Sequence, residues 1–507
     1  MEFAEELMEI SMIKKQSLAK NYIYQFLYQG LILVIPLILS PYLTRTIQGE
    51  GLGAYTYVNS IAYYFVIAAN LGIGVHGKRI ISQNSSNEME LRKKFWSLFA
   101  LHAFISTIVS VIYIGFVVFF ATEYREIYII ELAYVLSALF DITWLFYGLE
   151  NFRSVVIKNA LVKIIECVFI FTFVKGPGDL SLYTLITAGA LLLGQIVMIP
   201  QAVRIVKPIR FTKEDVLVHV KPLLLFSIAL IASSLYTVFD KTLIGMMMSI
   251  ENVAYYEYAN KIVAVPRTFV EVASIVMFPR ACKLAIEGDR DGQIKYINYS
   301  FIIAAFIGMG SVFGLAAVAD QFALIYYGEE FAICGTIMIA LSPLVYIVGA
   351  GKILRSQCLI PNGMDKEFNL CIIYNAAINI LLSALLIPHF GVFGAVIGTL
   401  AAELFGFIYQ FVVSKRFIDA KMVLRSLVPF IVIGLVMYVC LKLTFPIFPI
   451  GVKGLVLRIF GGGVVYCLLS FLYLIIFKKD FAQELKNKLL KKKPVSRHVR
   501  NFMLNKS

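Results

Sequence analysis

Apolar runs about as long as a bilayer is thick follow one another along the chain, separated by short polar segments. A helix needs roughly 20 apolar residues to span hydrocarbon. Runs of that length fall near 21–44, 53–76, 96–120, 127–149, 154–174 and 182–203, and, after a basic link over 204–221, near 222–248, 253–278, 298–322, 331–354, 369–389, 392–414, 425–447 and 453–477. Only structures that satisfy every backbone group internally survive in lipid. The pattern therefore predicts an all-α integral membrane protein of about fourteen transmembrane helices.

Two of these runs open on related sequence. Gly51-Leu-Gly-Ala-Tyr-Thr-Tyr-Val-Asn-Ser-Ile61 returns as Asn252-Val-Ala-Tyr-Tyr-Glu-Tyr-Ala-Asn-Lys-Ile262, with Tyr55, Tyr57, Asn59 and Ile61 matched to Tyr256, Tyr258, Asn260 and Ile262, each pair 201 positions apart. Both copies follow an apolar run that ends in charge, at Arg45 and at Asp240-Lys241. The chain reads as two homologous halves. An internal repeat in a chain this apolar points to a secondary transporter whose substrate site lies between the halves.

Composition agrees: 60% of residues are hydrophobic, 15% are charged and the mean hydropathy is +0.81. A soluble protein carries roughly 25% charged residues. The net charge of +14 is spread over short loops and the C-terminal tail, which is membrane topology rather than a nucleic-acid groove. Lys and Arg gather after even-numbered runs (Lys78, Arg79, Arg92 to Lys94; Arg204 to Lys221; Arg280 to Lys295; Lys415 to Arg425) and are sparse after most odd ones. The positive-inside rule places both termini in the cytoplasm of a multi-pass cell-membrane protein. Residues 1–20 hold no cleavable signal pattern, and the basic tail over 478–507 suits an arm resting on anionic membrane lipids. The seven cysteines show no CxxC spacing and no histidine cluster, so neither disulfide nor metal is expected.

Ionisable residues inside a span are costly and normally mark function. On the eighth run Glu257, Lys261, Arg267 and Glu271 fall within an arc of about 120°, forming one polar stripe with two i, i+4 pairs and Pro266 between them. The seventh run carries Asp240 and Lys241, the fifth Lys163 and Glu166, and the twelfth Glu403. The fourth aligns Tyr134, Ser137, Asp141 and Trp144. The spaced pairs read equally well as structural ion pairs. Runs seven and eight together resemble the wall of a water-filled cavity. Soluble chemistry is missing: there is no GxxxxGK[ST] loop, no cofactor motif, and Asp289-Arg290-Asp291 sits in a short loop, so no catalytic residue and no enzyme is expected.

The segments Pro41-Tyr-Leu-Thr-Arg45 with Gly49-Glu-Gly-Leu-Gly53, Asp141-Ile-Thr-Trp-Leu-Phe-Tyr-Gly148 with Glu150, Asp240-Lys241, Tyr256-Glu-Tyr-Ala259, Gln357-Cys-Leu-Ile-Pro361, and Ile387-Pro-His-Phe-Gly391 with Gly394-Ala395 occur in order along the chain. In these it resembles bacterial oligosaccharide repeat-unit flippases, the polysaccharide transporter branch of the multidrug, oligosaccharidyl-lipid and polysaccharide exporter superfamily. Gln48 departs from that family, which commonly has glycine there. The resemblance implies pseudo-symmetric six-helix lobes over 21–203 and 222–414, two further helices over 425–477, and alternating access. It implies movement of an undecaprenyl-pyrophosphate-linked oligosaccharide from the inner to the outer leaflet, for capsule, exopolysaccharide or another surface polysaccharide. Polymerase and glycosyltransferase partners would follow, and no nucleic acid.

A pyrophosphate bearing sugars cannot cross hydrocarbon unaided, and a cationic cavity substitutes for the lost water. Arg45, Lys163, Lys241, Lys261 and Arg267 are the candidates to hold the pyrophosphate. Tyr55, Tyr57, Trp144, Tyr256 and Tyr258 offer faces for sugar rings, and Asp141, Asp240, Glu257, Glu271 and Glu403 fix those cations or take up a coupling H+ or Na+. Two alternatives share the architecture: a drug or cation antiporter, which the several intramembrane cations disfavour, and a flippase for another polyprenyl-pyrophosphate lipid such as the peptidoglycan precursor.

Overall fold

The computed structural model describes residues 18–418, 420–444, 449 and 451–478, so most of the N-terminal segment and the basic tail lie outside the described residues. Among the described residues there is no strand. The helices are α1 (Leu18–Thr46), α2 (Gln48–Asn70), α3 (Ile73–Asn84), α4 (Glu88–Phe119), α5 (Arg125–Leu139), α6 (Thr143–Gly148), α7 (Phe152–Phe173), α8 (Leu180–Ile196), α9 (Ile199–Ile205) and α10 (Lys213–Leu217). They continue as α11 (Val220–Met247), α12 (Glu251–Ile286), α13 (Arg290–Tyr327), α14 (Ile333–Leu341), α15 (Leu344–Leu354), α16 (Asp365–Phe390), α17 (Val392–Val413), α18 (Ala420–Leu443) and α19 (Val452–Phe477).

Among the described residues ten spans are long and apolar enough to cross a membrane, with α2–α3, α5–α6 and α8–α9 each counted as one, and α14 with α15, bent by 42°, makes eleven. The other runs expected to cross, on α1, α7 and α11, are helical as well; α7 carries Lys158, Lys163 and Glu166 within its length. The protein is all-α and multi-pass, and the count by length and apolarity is ten or eleven where the sequence pattern anticipates fourteen.

Some runs break where polar chemistry interrupts them. The fourth run stops at Leu139 and restarts at Thr143 because Asp141 turns its carboxylate onto the backbone: Oδ1 accepts from the Thr143 N–H at 2.9 Å and from its hydroxyl at 2.6 Å. This Asx-type turn gives the backbone an alternative to the helical ladder. Trp144 Nε1 donates to the Asp141 carbonyl at 3.0 Å, fixing the break, and the indole packs on Phe95 at 1% exposure.

The chain forms two compact units, each assembled from separate stretches of sequence. Of the described residues, the first comprises those within 18–265, 319–344 and 364–410, and the second those within 266–318, 345–363 and 411–478. The first packs α5 against α2, α4 and α8, and α11 against α16. Here the two copies of the repeat meet: a Cβ on Gly53 would stand 2.1 Å from the Ile250 carbonyl oxygen, so α2 reaches the start of α12 only because that position is glycine. In the second unit Gln357, on a π-helical turn over Arg355–Leu359, accepts from Ser300 Oγ at 2.9 Å while its carbonyl accepts from Gln293 Nε2 at 2.9 Å. Asp289 of the DxD triplet caps α13, its Oδ1 accepting from Gly292 N–H at 2.8 Å.

Before α11, His219 joins three elements: its Nδ1 lies 3.0 Å from Nε2 of His76 on α3 and its Nε2 3.2 Å from Oγ of Ser97 on α4. Burial, with His76 and Lys94 adding to it, pushes the His219 imidazole down to about 4.

Gln48, where the family has glycine, sits at φ +65°, a region that costs a non-glycine residue about 1–2 kcal/mol. Gln48→Gly is therefore expected to preserve or raise thermal stability of the purified protein, and Gln48→Val to lower it by about that amount. For His219 the unfolded imidazole titrates near 6.5, so between about 6.5 and 4 the unfolded chain binds the additional proton and stability falls as pH drops. His219→Gln should flatten that part of a melting-temperature profile against pH.

Candidate functional site

The polar stripe of α12 meets α11 in a compact charge cluster. Lys241 Nζ lies 3.1 Å from Glu257 Oε2, and Lys261 Nζ lies 3.8 Å from Glu257 Oε1, so two amines share one carboxylate. The second ammonium also stands 4.1 Å above the Tyr258 ring. The i, i+4 spacing on α12 and the position of Lys241 near the end of α11 suffice to bring the three together. All three side chains keep partial exposure, 20%, 18% and 33% in the order Lys241, Glu257, Lys261, so the cluster borders accessible space.

Asp240, one residue earlier, points into the protein and is 5% exposed. Its carboxylate accepts from Thr399 Oγ1 at 2.6 Å, Ser383 Oγ at 2.9 Å, Tyr256 OH at 3.1 Å and Asn379 Nδ2 at 3.2 Å. Four helices supply these groups: α11, α12, α16 and α17. The Asn379 Oδ1 beside it is buried without a hydrogen-bond partner, an acceptor that desolvation makes costly to leave unmet. A carboxylate, a free amide oxygen and three hydroxyls form an all-oxygen set suited to a small hard cation or a proton.

The other candidates are dispersed. Arg45 closes the end of α13: Nη1 donates to the Tyr326 carbonyl at 2.9 Å and Nη2 to that of Ile325 at 2.8 Å, while Thr44 Oγ1 donates to the Tyr327 carbonyl at 2.9 Å. A guanidinium on the last carbonyls of a helix is a C-terminal cap. Lys163 pairs with Glu166 at 2.7 Å on α7, and Arg267 with Glu271 at 3.8 Å in the second unit. Glu403 is half-buried on α17. Among the aromatics, Trp144, Tyr256 and Tyr258 are buried, the last against Tyr327 and Phe331. Tyr55 packs edge-on against Tyr183 at 4.8 Å. Tyr57 lies against Gly245, where a Cβ would come 2.2 Å from its ring, and lines a cavity of about 380 Å³.

Sequence reasoning missed several polar groups. Glu131 on α5 is 1% exposed and hydrogen-bonded by Asn59. Asn379, Ser383 and Thr399, uncharged residues far from Asp240 in sequence, reach it from α16 and α17, so only the depth of Asp240 hinted at partners. Near the start of α2, that cavity and an adjoining one of about 360 Å³ are lined by Glu50, Glu123, Glu251 and Glu330, and Glu330 Oε1 accepts from Gly49 N–H at 2.8 Å. Glu50 and Glu251 stand 201 positions apart, the register of the repeat.

Residues 18–285 match the family model described as polysaccharide biosynthesis protein. A putative O-antigen transporter of Shigella dysenteriae is 26% identical over 391 residues, covering 76% of this chain and 96% of that one. Another, of Escherichia coli (strain K12), is 21% identical over 394 residues, covering 77% and 94%. Among solved structures, the lipid II flippase MurJ in an inward closed conformation superposes with a TM-score of 0.72 at 16% identity, over 90% of this chain and 99% of that one, which shows a common fold. With more than half its length matched, the chain belongs to the polysaccharide biosynthesis protein family, on an all-α membrane fold shared with that flippase.

Proposed function

We propose that this protein is a flippase that moves a polyprenyl-pyrophosphate-linked oligosaccharide from the inner to the outer leaflet of a bacterial cell membrane, with both termini in the cytoplasm. The observation that carries the reading is the Lys241, Glu257 and Lys261 cluster, two cations on one acid within apolar spans. Two ammonium groups on one carboxylate favour an anionic over a cationic substrate once Asp240 is neutralised. Similarity to O-antigen transporters over nearly their whole length supports a lipid-linked sugar as substrate.

The cluster suggests how coupling works. Asp240, Lys241, Glu257 and Lys261 together sum to zero formal charge, so the site has no net attraction for an anion. A proton or Na+ taken up at Asp240 leaves the group at +1, able to hold the pyrophosphate. Ion uptake and substrate binding then favour each other, which is reciprocal linkage. Outward movement of negative charge is also downhill in an inside-negative cell, by about 2.3 kcal/mol per charge per 100 mV. Arg267 and Lys163 are second-rank candidates for the pyrophosphate, each already held by its own glutamate. Arg45 contributes to this reading as a cap on α13 rather than as a ligand. Polymerase and glycosyltransferase partners follow from the substrate.

Two experiments test this. Cells depleted of the protein should accumulate a polyprenyl-linked oligosaccharide, read by mass spectrometry, and complementation with Lys261→Ala should translocate at a rate reduced about tenfold or more at normal protein level, about 1.4 kcal/mol of lost stabilisation. An unchanged lipid pool on depletion defeats the proposal. Asp240→Asn should keep the fold and abolish the dependence of translocation on the H+ or Na+ gradient; an unaltered gradient dependence removes Asp240 from the coupling.

A further inference from the structure

Glu131 differs from every other buried acid described above. It is 1% exposed, seven residues into α5, and among the described residues its carboxylate accepts only from Asn59 Nδ2, at 3.3 Å to Oε1 and 3.2 Å to Oε2. Glu166, almost as buried, has the Lys163 ammonium at 2.7 Å; Glu257 has two lysines; Asp240 has four donors. The titratable groups around Glu131 are phenols: Tyr55 on α2, Tyr113 on α4, Tyr183 on α8 and Tyr134 on α5 itself. Among the described residues no Lys, Arg or His nitrogen lies within 4 Å of its carboxylate.

We propose that Glu131 is a proton-binding site, carrying H+ as a neutral acid in this state. An ionised carboxylate at this position would be desolvated against one amide, with no cation to offset it. Proton transfer from hydronium forms the Oε–H bond and leaves water, so no further reactant is required. Asn59 serves either state, since its Nδ2–H donates to the carboxylate and its Oδ1 accepts from the acid once the amide turns. Gly51 and Ala54 of α2, the helix that carries Asn59, line the 360 Å³ cavity, whose Glu50, Glu251 and Glu330 raise the local concentration of cations, protons included. Asn59 lies on the repeated stretch, one to two turns beyond Ala54, so the hydrogen-bond partner of Glu131 sits on the helix at which the two copies of the repeat touch.

The use of this proton in transport rests on the flippase reading; its binding does not. Infrared spectra of the purified protein in lipid nanodiscs, taken across a pH titration, should show a carboxylic-acid C=O band that is absent in Glu131→Gln. Glutamine keeps the size and hydrogen bonding of the neutral acid, so the variant should fold. Asn59→Leu, which leaves Glu131 in place, should shift the frequency or midpoint of the same band. Identical band sets in wild type and Glu131→Gln at every pH overturn the proposal, as does a band that Asn59→Leu leaves unmoved. A band lost in Glu131→Gln, in a protein that translocates no lipid-linked oligosaccharide, upholds the proton site and sinks the flippase reading instead.

Discussion

Hydrocarbon does not tolerate an unpartnered charge, and much of the polar structure follows from that constraint. Each intramembrane group finds its partner by the shortest route that its helix allows. Lys163 and Glu166 use one turn of one helix, Lys261 and Glu257 use one turn and then recruit Lys241 from the preceding span, and Asp240 collects hydroxyls and an amide from three neighbouring helices. Where a carboxylate is placed at a span break instead, as Asp141 is, it satisfies the backbone it interrupts.

These partners separate acids that look alike in sequence. Asp240 and Glu131 are both nearly fully buried, but one is surrounded by donors and the other meets a single amide. Environment, more than residue type, assigns a carboxyl its task. Arg45 differs from the lysines of the cluster in having no carboxylate within reach among the described residues. Its guanidinium is engaged by the terminal carbonyls of α13, where a helix end already supplies partial negative charge.

The architecture was legible because its signal is long. Each apolar run of bilayer thickness falls on a helix, although α4, α12 and α13 extend about two turns beyond their runs, and the pairs on α7 and α12 follow from three- and four-residue spacing alone. The partners of Asp240 were not legible, because Asn379, Ser383 and Thr399 are 139 to 159 positions away and carry no charge to mark them. Aromatic residues misled for a different reason. Trp144, Tyr256 and Tyr258 look available on a helical wheel, but large rings also fill the space between helices, and here they are buried. Gln48 shows the opposite case: a departure from the family pattern, visible in sequence, marks a backbone angle that only the structure reveals.

The repeat itself carries the last step. Tyr55 and Tyr256 occupy equivalent positions, but Tyr256 donates to Asp240 while Tyr55 leans on Tyr183; Asn59 binds Glu131 from the first copy. The common register is retained where the copies meet, at Gly53 against Ile250 and at the paired Glu50 and Glu251. Behind that meeting point their polar chemistry has diverged. Two identical halves would bind the same ion in the same way and give a symmetric device with no preferred order of events. On the roles proposed for Asp240 and Glu131, a carboxylate surrounded by donors behind one copy and one meeting a single amide behind the other would be loaded by different species at different moments. Such an order is what a transporter needs to convert a gradient into net movement in one direction.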